Sequence, residues 1–141
     1  MNIYDDIAKF NKRIAKAKKM DLFEEIRRRA NIINGVRVSL INIAKNVKIE
    51  AGVMTPQKAN QYIAAIEKLK ADLSNQAFQL AYIRNKVNEM YPADETLDVE
   101  SQTYYFISKT HDLMKLIGAY MVEAGKLIGG LKTLKRERGG N

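Results

Sequence analysis

The sequence predicts an all-α, up-and-down four-helix bundle with long antiparallel third and fourth helices. Three observations lead there. Apolar residues recur three and four apart along nearly the whole chain, and no strand-like alternation interrupts them. The only two prolines are Pro56, behind the N-cap residue Thr55, and Pro92, and they fall where one helix should start and stop. The chain has 141 residues and no cysteine. A chain of that length buries about 68–70% of its unfolded surface, enough for one domain over 1–141 without disulfides.

Ile3, Ile7, Phe10, Ile14 and Ala17 line one face of a basic N-terminal helix over residues 1–20, with Lys9, Lys12, Arg13, Lys16 and Lys19 mostly off that face. Asp21 with Glu24 three residues later has the form of a capping box that opens a second helix; one helix running on through Met20 is the alternative. Leu22, Ile26, Ala30, Ile33, Leu40, Ala44 and Val47 share the face of that second helix, and Ala51-Gly52 stops it. The third helix runs from Pro56 to about Tyr91. Ala59, Ile66, Leu73, Leu80 and Val87 repeat every seven residues along it, joined by Tyr62, Leu69 and Ala77. The acidic stretch Ala93–Asp98 connects to a fourth helix capped by Thr96 or Asp98. Its stripe is Val99, Phe106, Leu113, Ile117, Tyr120, Ala124, Leu127, Ile128 and Leu131. Helices three and four are each about 50 Å long and joined by a short loop, so they must pair antiparallel. Residues 136–141, closing on Gly139-Gly140-Asn141, are expected to be a disordered tail.

Charge points to a partner. The chain carries 24 Lys+Arg against 16 Asp+Glu, a formal net charge of +8. Residues 1–50 hold 12 cations against 6 acids, residues 51–100 hold 5 against 7, and residues 101–141 hold 7 against 3. A positive excess at both ends of the sequence predicts an anionic partner, RNA and/or DNA first. The densest clusters are Arg27-Arg28-Arg29 and Lys132, Lys135, Arg136, Arg138; with Lys12, Arg13, Lys16 and Lys19 they are the candidate nucleic-acid-binding residues. Three consecutive arginines sweep about 200° of a helix, so one must approach the apolar side. Arg29 is nearest the Ile26 stripe, where its stem can lie along apolar surface with the head in water. Arg37 and Arg84 fall on apolar stripes, and ion pairs to a facing helix account for them as well as a functional role does.

Chemistry leaves no comparable trace. No thiolate and no cysteine zinc site is available. His111 is the only histidine, and Ser108 stands where a di-iron bundle needs a glutamate three residues earlier. Glu100 shares its face but lies about 16 Å along the axis, so His111 is read as a surface residue. The carboxylate pairs Asp5-Asp6 and Glu24-Glu25 sit near helix starts, where acids favour the macrodipole. The expectation is a chain with no catalytic residue, no metal and no cofactor, and not an enzyme. The N-terminus carries no signal-peptide core, and no apolar run approaches the ~20 residues of a membrane span. A cytoplasmic location without membrane contact is expected.

Gly118, Gly125 and Gly129 span only about 40° of the fourth helix. Each costs about 1 kcal/mol against alanine, so three on one line predict a close helix neighbour, in this chain or in another subunit. Met114, Met121 and Ile107 border them. Of the consecutive aromatics, Phe106 is core by periodicity, while Tyr104 and Tyr105 are packing or partner contacts.

The run Glu123-Ala124-Gly125-Lys126-Leu127-Ile128-Gly129-Gly130 resembles the closing motif of Avd, the accessory protein of diversity-generating retroelements, and of the related ribosomal-RNA intervening-sequence four-helix-bundle proteins. Val38–Ala44, Tyr62-Ile63 and Leu80–Tyr82 fit the family in order, so the resemblance covers residues 22–138. Leu131 stands where the family usually has Trp. The resemblance implies a basic homo-oligomeric ring, a pentamer. It also implies a reverse transcriptase and its template RNA as partners in mutagenic cDNA synthesis, with no chemistry by the protein itself. Gly125, Gly129 and Gly130 would be packing residues. The second reading of the same features is a structural or assembly protein, such as a small oligomeric phage or plasmid component. A membrane-surface protein ranks last, because the basic first helix lacks Trp and apolar bulk.

Overall fold

The computed structural model describes residues 5, 9, 19–90 and 97–139. Among these the chain is all helical and contains three long helices: α1 (Lys19–Glu50), α2 (Pro56–Met90) and α3 (Leu97–Glu137), with a 3-10 turn at Ala51–Val53. Of the N-terminal helix expected over 1–20, Asp5 and Lys9 are helical, and Lys19 and Met20 already belong to α1. The rest of that segment lies outside the described residues. Asp21 therefore sits inside α1 and is not its cap. Asp98 likewise lies inside α3, and Thr96 is outside the described residues.

The α1–α2 corner forms as its sequence dictates. The chain tightens into the 3-10 turn, and Met54 turns extended and is buried. The Thr55 hydroxyl accepts the Lys58 amide at 3.1 Å, and Pro56 takes the first helical position, where its missing N–H leaves no donor unsatisfied.

Packing follows the heptads. Ala59, Ile66, Leu73, Leu80 and Val87 of α2 are all fully buried, facing Phe106, Leu113, Ile117, Ala124, Ile128 and Leu131 of α3. This α2–α3 pair has the most extensive contact, and α1 packs against both. Cross-helix contacts fix the directions. Tyr62 reaches Glu50 while Arg29 reaches Gln76 and Gln79, so α1 and α2 are antiparallel. The Phe23 ring packs tilted against Phe106 with centroids 4.2 Å apart while Arg138 reaches Ala51, so α1 and α3 run parallel. Ala44, expected on the α1 core face, is exposed at a groove edge, and Val36 is buried instead.

No helix among the described residues is long and apolar enough to cross a membrane. His111 is exposed, and Tyr105 is half in solvent with its ring 5.5 Å from Phe23. Leu73 lies at the centre of the α2 heptad with no solvent exposure. Leu73→Ala should lower unfolding free energy by about 2–5 kcal/mol in a denaturant titration; a loss under about 1 kcal/mol would contradict this core.

Candidate nucleic-acid interface

The two basic clusters end up in unlike surroundings. Arg29 follows Ile26 by three residues and precedes Ile33 by four, so the helical period puts it on the packed face of α1. It is only 6% exposed. Its guanidinium donates to Gln76 at 3.4 Å, to Gln79, and to the Glu25 carboxylate at 3.4 Å; Gln79 in turn donates to Asn75. The sequence reading placed Arg29 in the nucleic-acid interface with its head in water, and the structure corrects this. A guanidinium held between α1 and α2 cannot meet a phosphate. Its role is to satisfy a buried polar seam in which Glu25, Gln76 and Gln79 are also buried. Arg27 and Arg28 stay exposed, but each is drawn to a carboxylate one turn back: Glu24 at 3.1 Å and Glu25 at 3.2 Å. Arg37 is exposed and Arg84 half-buried, and neither pairs with a facing helix among the described residues.

Of the tail expected over 136–141, residues 136–139 are described and residues 140–141 lie outside the described residues. Helix α3 continues through Glu137, and Gly139 closes it with φ of 83°, its amide donating to the Arg136 carbonyl at 3.1 Å. That left-handed conformation suits glycine. Arg138 donates to the Ala51 carbonyl at 2.9 Å and so ties the end of α3 to the α1–α2 corner. Arg136 reaches Thr133 at 3.5 Å; Lys132 is exposed and Lys135 half-buried.

That tie brings in cations the sequence reading missed. Lys45 and Lys48 near the end of α1 and Lys58 at the start of α2 are all exposed at the same end of the bundle as Lys132, Lys135, Arg136 and Arg138. They are far apart in sequence, so no cluster shows in one dimension; the antiparallel topology was the signal that could have gathered them. The Lys58 ammonium lies 5.2 Å from the Tyr62 ring centre. The Tyr62 hydroxyl donates to Glu50. That hydrogen bond, then partial burial, then the Glu50 charge raise the tyrosine pKa above its ordinary value.

Lys12, Arg13 and Lys16 lie outside the described residues, and Lys19 is described only as the first residue of α1. Gly118, Gly125 and Gly129 are exposed, and a Cβ at any of them would meet nothing within 4 Å. No close helix neighbour within the described chain accounts for them. Beside them a hollow of about 320 Å³ is lined by Ser74, Ala77, Phe78, Ala81 and Met121, with Phe78 66% and Val122 56% exposed. On the other side of α3, a groove of about 450 Å³ runs between Arg37, Leu40, Ile41 and Ala44 of α1 and Tyr120, Glu123, Lys126 and Leu127 of α3.

Removing the Arg29 side chain strands the buried Glu25 and glutamine oxygens. Arg29→Ala should cost about 3–5 kcal/mol of stability, measured by denaturant unfolding; Arg29→Met, which fills the space, should cost less. For Tyr62 the linkage sign is set by a raised acid pKa. Its hydrogen bond stabilises the fold while the phenol is protonated and is lost as pH rises through the folded-state value. The stability gap between wild type and Tyr62→Phe should hold at neutral pH and shrink above about pH 10. A gap unchanged at pH 11 would remove Glu50 as its partner. No family model matches this sequence, and neither a curated protein nor a solved structure matches it.

Proposed function

We propose that the chain is a non-catalytic, basic, homo-oligomeric nucleic-acid-binding protein. As in the Avd family it resembles, it would assist a reverse transcriptase and its template RNA in mutagenic cDNA synthesis. It acts in the cytoplasm as a pentamer of four-helix bundles and uses no cofactor. The observation that carries the nucleic-acid part is the formal net charge of +8. Among the cations whose burial is described only Arg29 is buried, so the others reach solvent at least in part, where a polyanion can meet them.

The oligomer draws support from a face of α3 that no described residue covers. Three glycines on one line are a cost with no return among the described residues, and Phe78 and Val122 stand exposed beside them. A second copy covering this face would use both. The same exposed apolar face also supports the alternative of a small oligomeric structural or assembly component, which would share the oligomer and lack the nucleic acid.

Light scattering on a sizing column at high salt tests the assembly, because salt suppresses charge-driven association. A mass near five times 16.0 kDa is expected, and a monomer would overturn the ring. Gly125→Leu has open space among the described residues, so it should keep full helicity by circular dichroism while the mass falls. A Gly125→Leu protein of unchanged mass takes the glycine face out of the interface.

A further inference from the structure

We infer that the α1–α2 corner and the end of α3 together form a docking pole for the phosphate backbone of duplex nucleic acid. This inference rests on the nucleic-acid reading above and says where the contact is made. Lys45, Lys48 and Lys58 converge there with Lys132, Arg136 and Arg138, from three separate stretches of sequence. The Arg138–Ala51 hydrogen bond holds the stretches together.

Helix dipoles do not explain the charge away. The C-termini of α1 and α3 and the N-terminus of α2 meet at this end. At about half a unit charge per terminus, they sum to roughly −0.5. Lys48 and Arg136, in the last turns of α1 and α3, already exceed that. The carboxylates of this pole are Glu50 (engaged by Tyr62), Glu137, and Glu67 of α2 at about the axial level of Lys45. The pole therefore remains strongly positive. The arginine triplet does not: one of its members is buried and the others have carboxylates at 3.1 and 3.2 Å.

The chemistry of the pole selects a backbone rather than bases. Single-strand binders stack bases on exposed aromatic rings. Among the described residues Tyr62 is the aromatic at this end; it is half-buried, with Lys58 over its ring and Glu50 on its hydroxyl. Six long cationic side chains without a free ring suit rows of phosphates, read without regard to sequence.

The test measures the salt dependence of binding to a 20-base-pair DNA duplex, an RNA duplex and an oligo(dT) strand. The wild type is compared with Lys48→Gln/Lys132→Gln/Arg136→Gln and with Arg27→Gln/Arg28→Gln. Arg138, which ties α3 to the α1–α2 corner, and Lys58, which lies over the Tyr62 ring, are left alone. Each phosphate contact contributes roughly 0.9 to the slope of log affinity against log salt on B-DNA, so the pole variant should lose about 2 to 3 and the Arg27/Arg28 variant almost nothing. If the triple variant loses helicity, Lys45→Gln/Lys132→Gln replaces it, with an expected loss of about 2. An unchanged slope in a folded pole variant overturns the location and leaves the nucleic-acid reading standing. Tighter binding of oligo(dT) than of either duplex overturns the backbone-only chemistry. No salt-dependent binding by the wild type to any of the three overturns the reading itself.

Discussion

The architecture depends on one constraint: α2 and α3 are long and the connection between them is short. Helices of 35 and 41 residues are about 52 and 61 Å long, and residues 91–96 can span at most about 20 Å. A parallel arrangement would need the chain to travel back the length of a helix, so the pair must lie antiparallel. The heptad of fully buried α2 residues then meets the α3 stripe along most of its length. With that pair set, α1 lies across it, antiparallel to α2 and parallel to α3. This places the start of α2 and the ends of α1 and α3 at one end of the bundle.

Most of this was legible in the sequence because it rests on local rules. The seven-residue repeat of Ala59 through Val87, the Thr55-Pro56 restart and the core role of Phe106 each need only periodicity or cap chemistry. The failures share a cause. Spacing from Ile26 and Ile33 puts Arg29 beside the apolar face, but spacing alone allows its head to reach water, and in the structure the whole side chain is buried. Its burial needs Gln76 and Gln79, 47 and 50 residues away, and no local window contains them. The contact of Arg138 is equally non-local: its partner is a carbonyl 87 residues distant. Lys45, Lys48 and Lys58 are unremarkable until the topology puts them beside the end of α3.

The buried seam of Arg29 also bears on how α1 finds its place. The α1 packing is the lighter part of the bundle, and an apolar face alone tolerates sliding by a turn. A guanidinium that must reach Glu25 and two glutamines of α2 penalises every other register, since a one-turn slip would strand buried polar groups at several kcal/mol each. Stability given up by burying a charge is returned as a single register, and with it a fixed position for the α1–α2 corner.

The two surfaces left unsatisfied are compatible in geometry. The glycine face lies along the flank of the bundle, and the cationic pole lies at its end. A closed ring formed through flanks, with helices along the ring axis, repeats every contact by rotation alone. Such a ring sets every pole on the same rim and none on the other. In the proposed ring the poles of neighbouring chains would face one long polyanion together, and their contacts would add as linked binding events. A dihedral assembly would split the poles between two faces and lose that gain. On the proposed function, the end-on position of the pole is what would make oligomerisation through the flank useful to a sequence-independent binder.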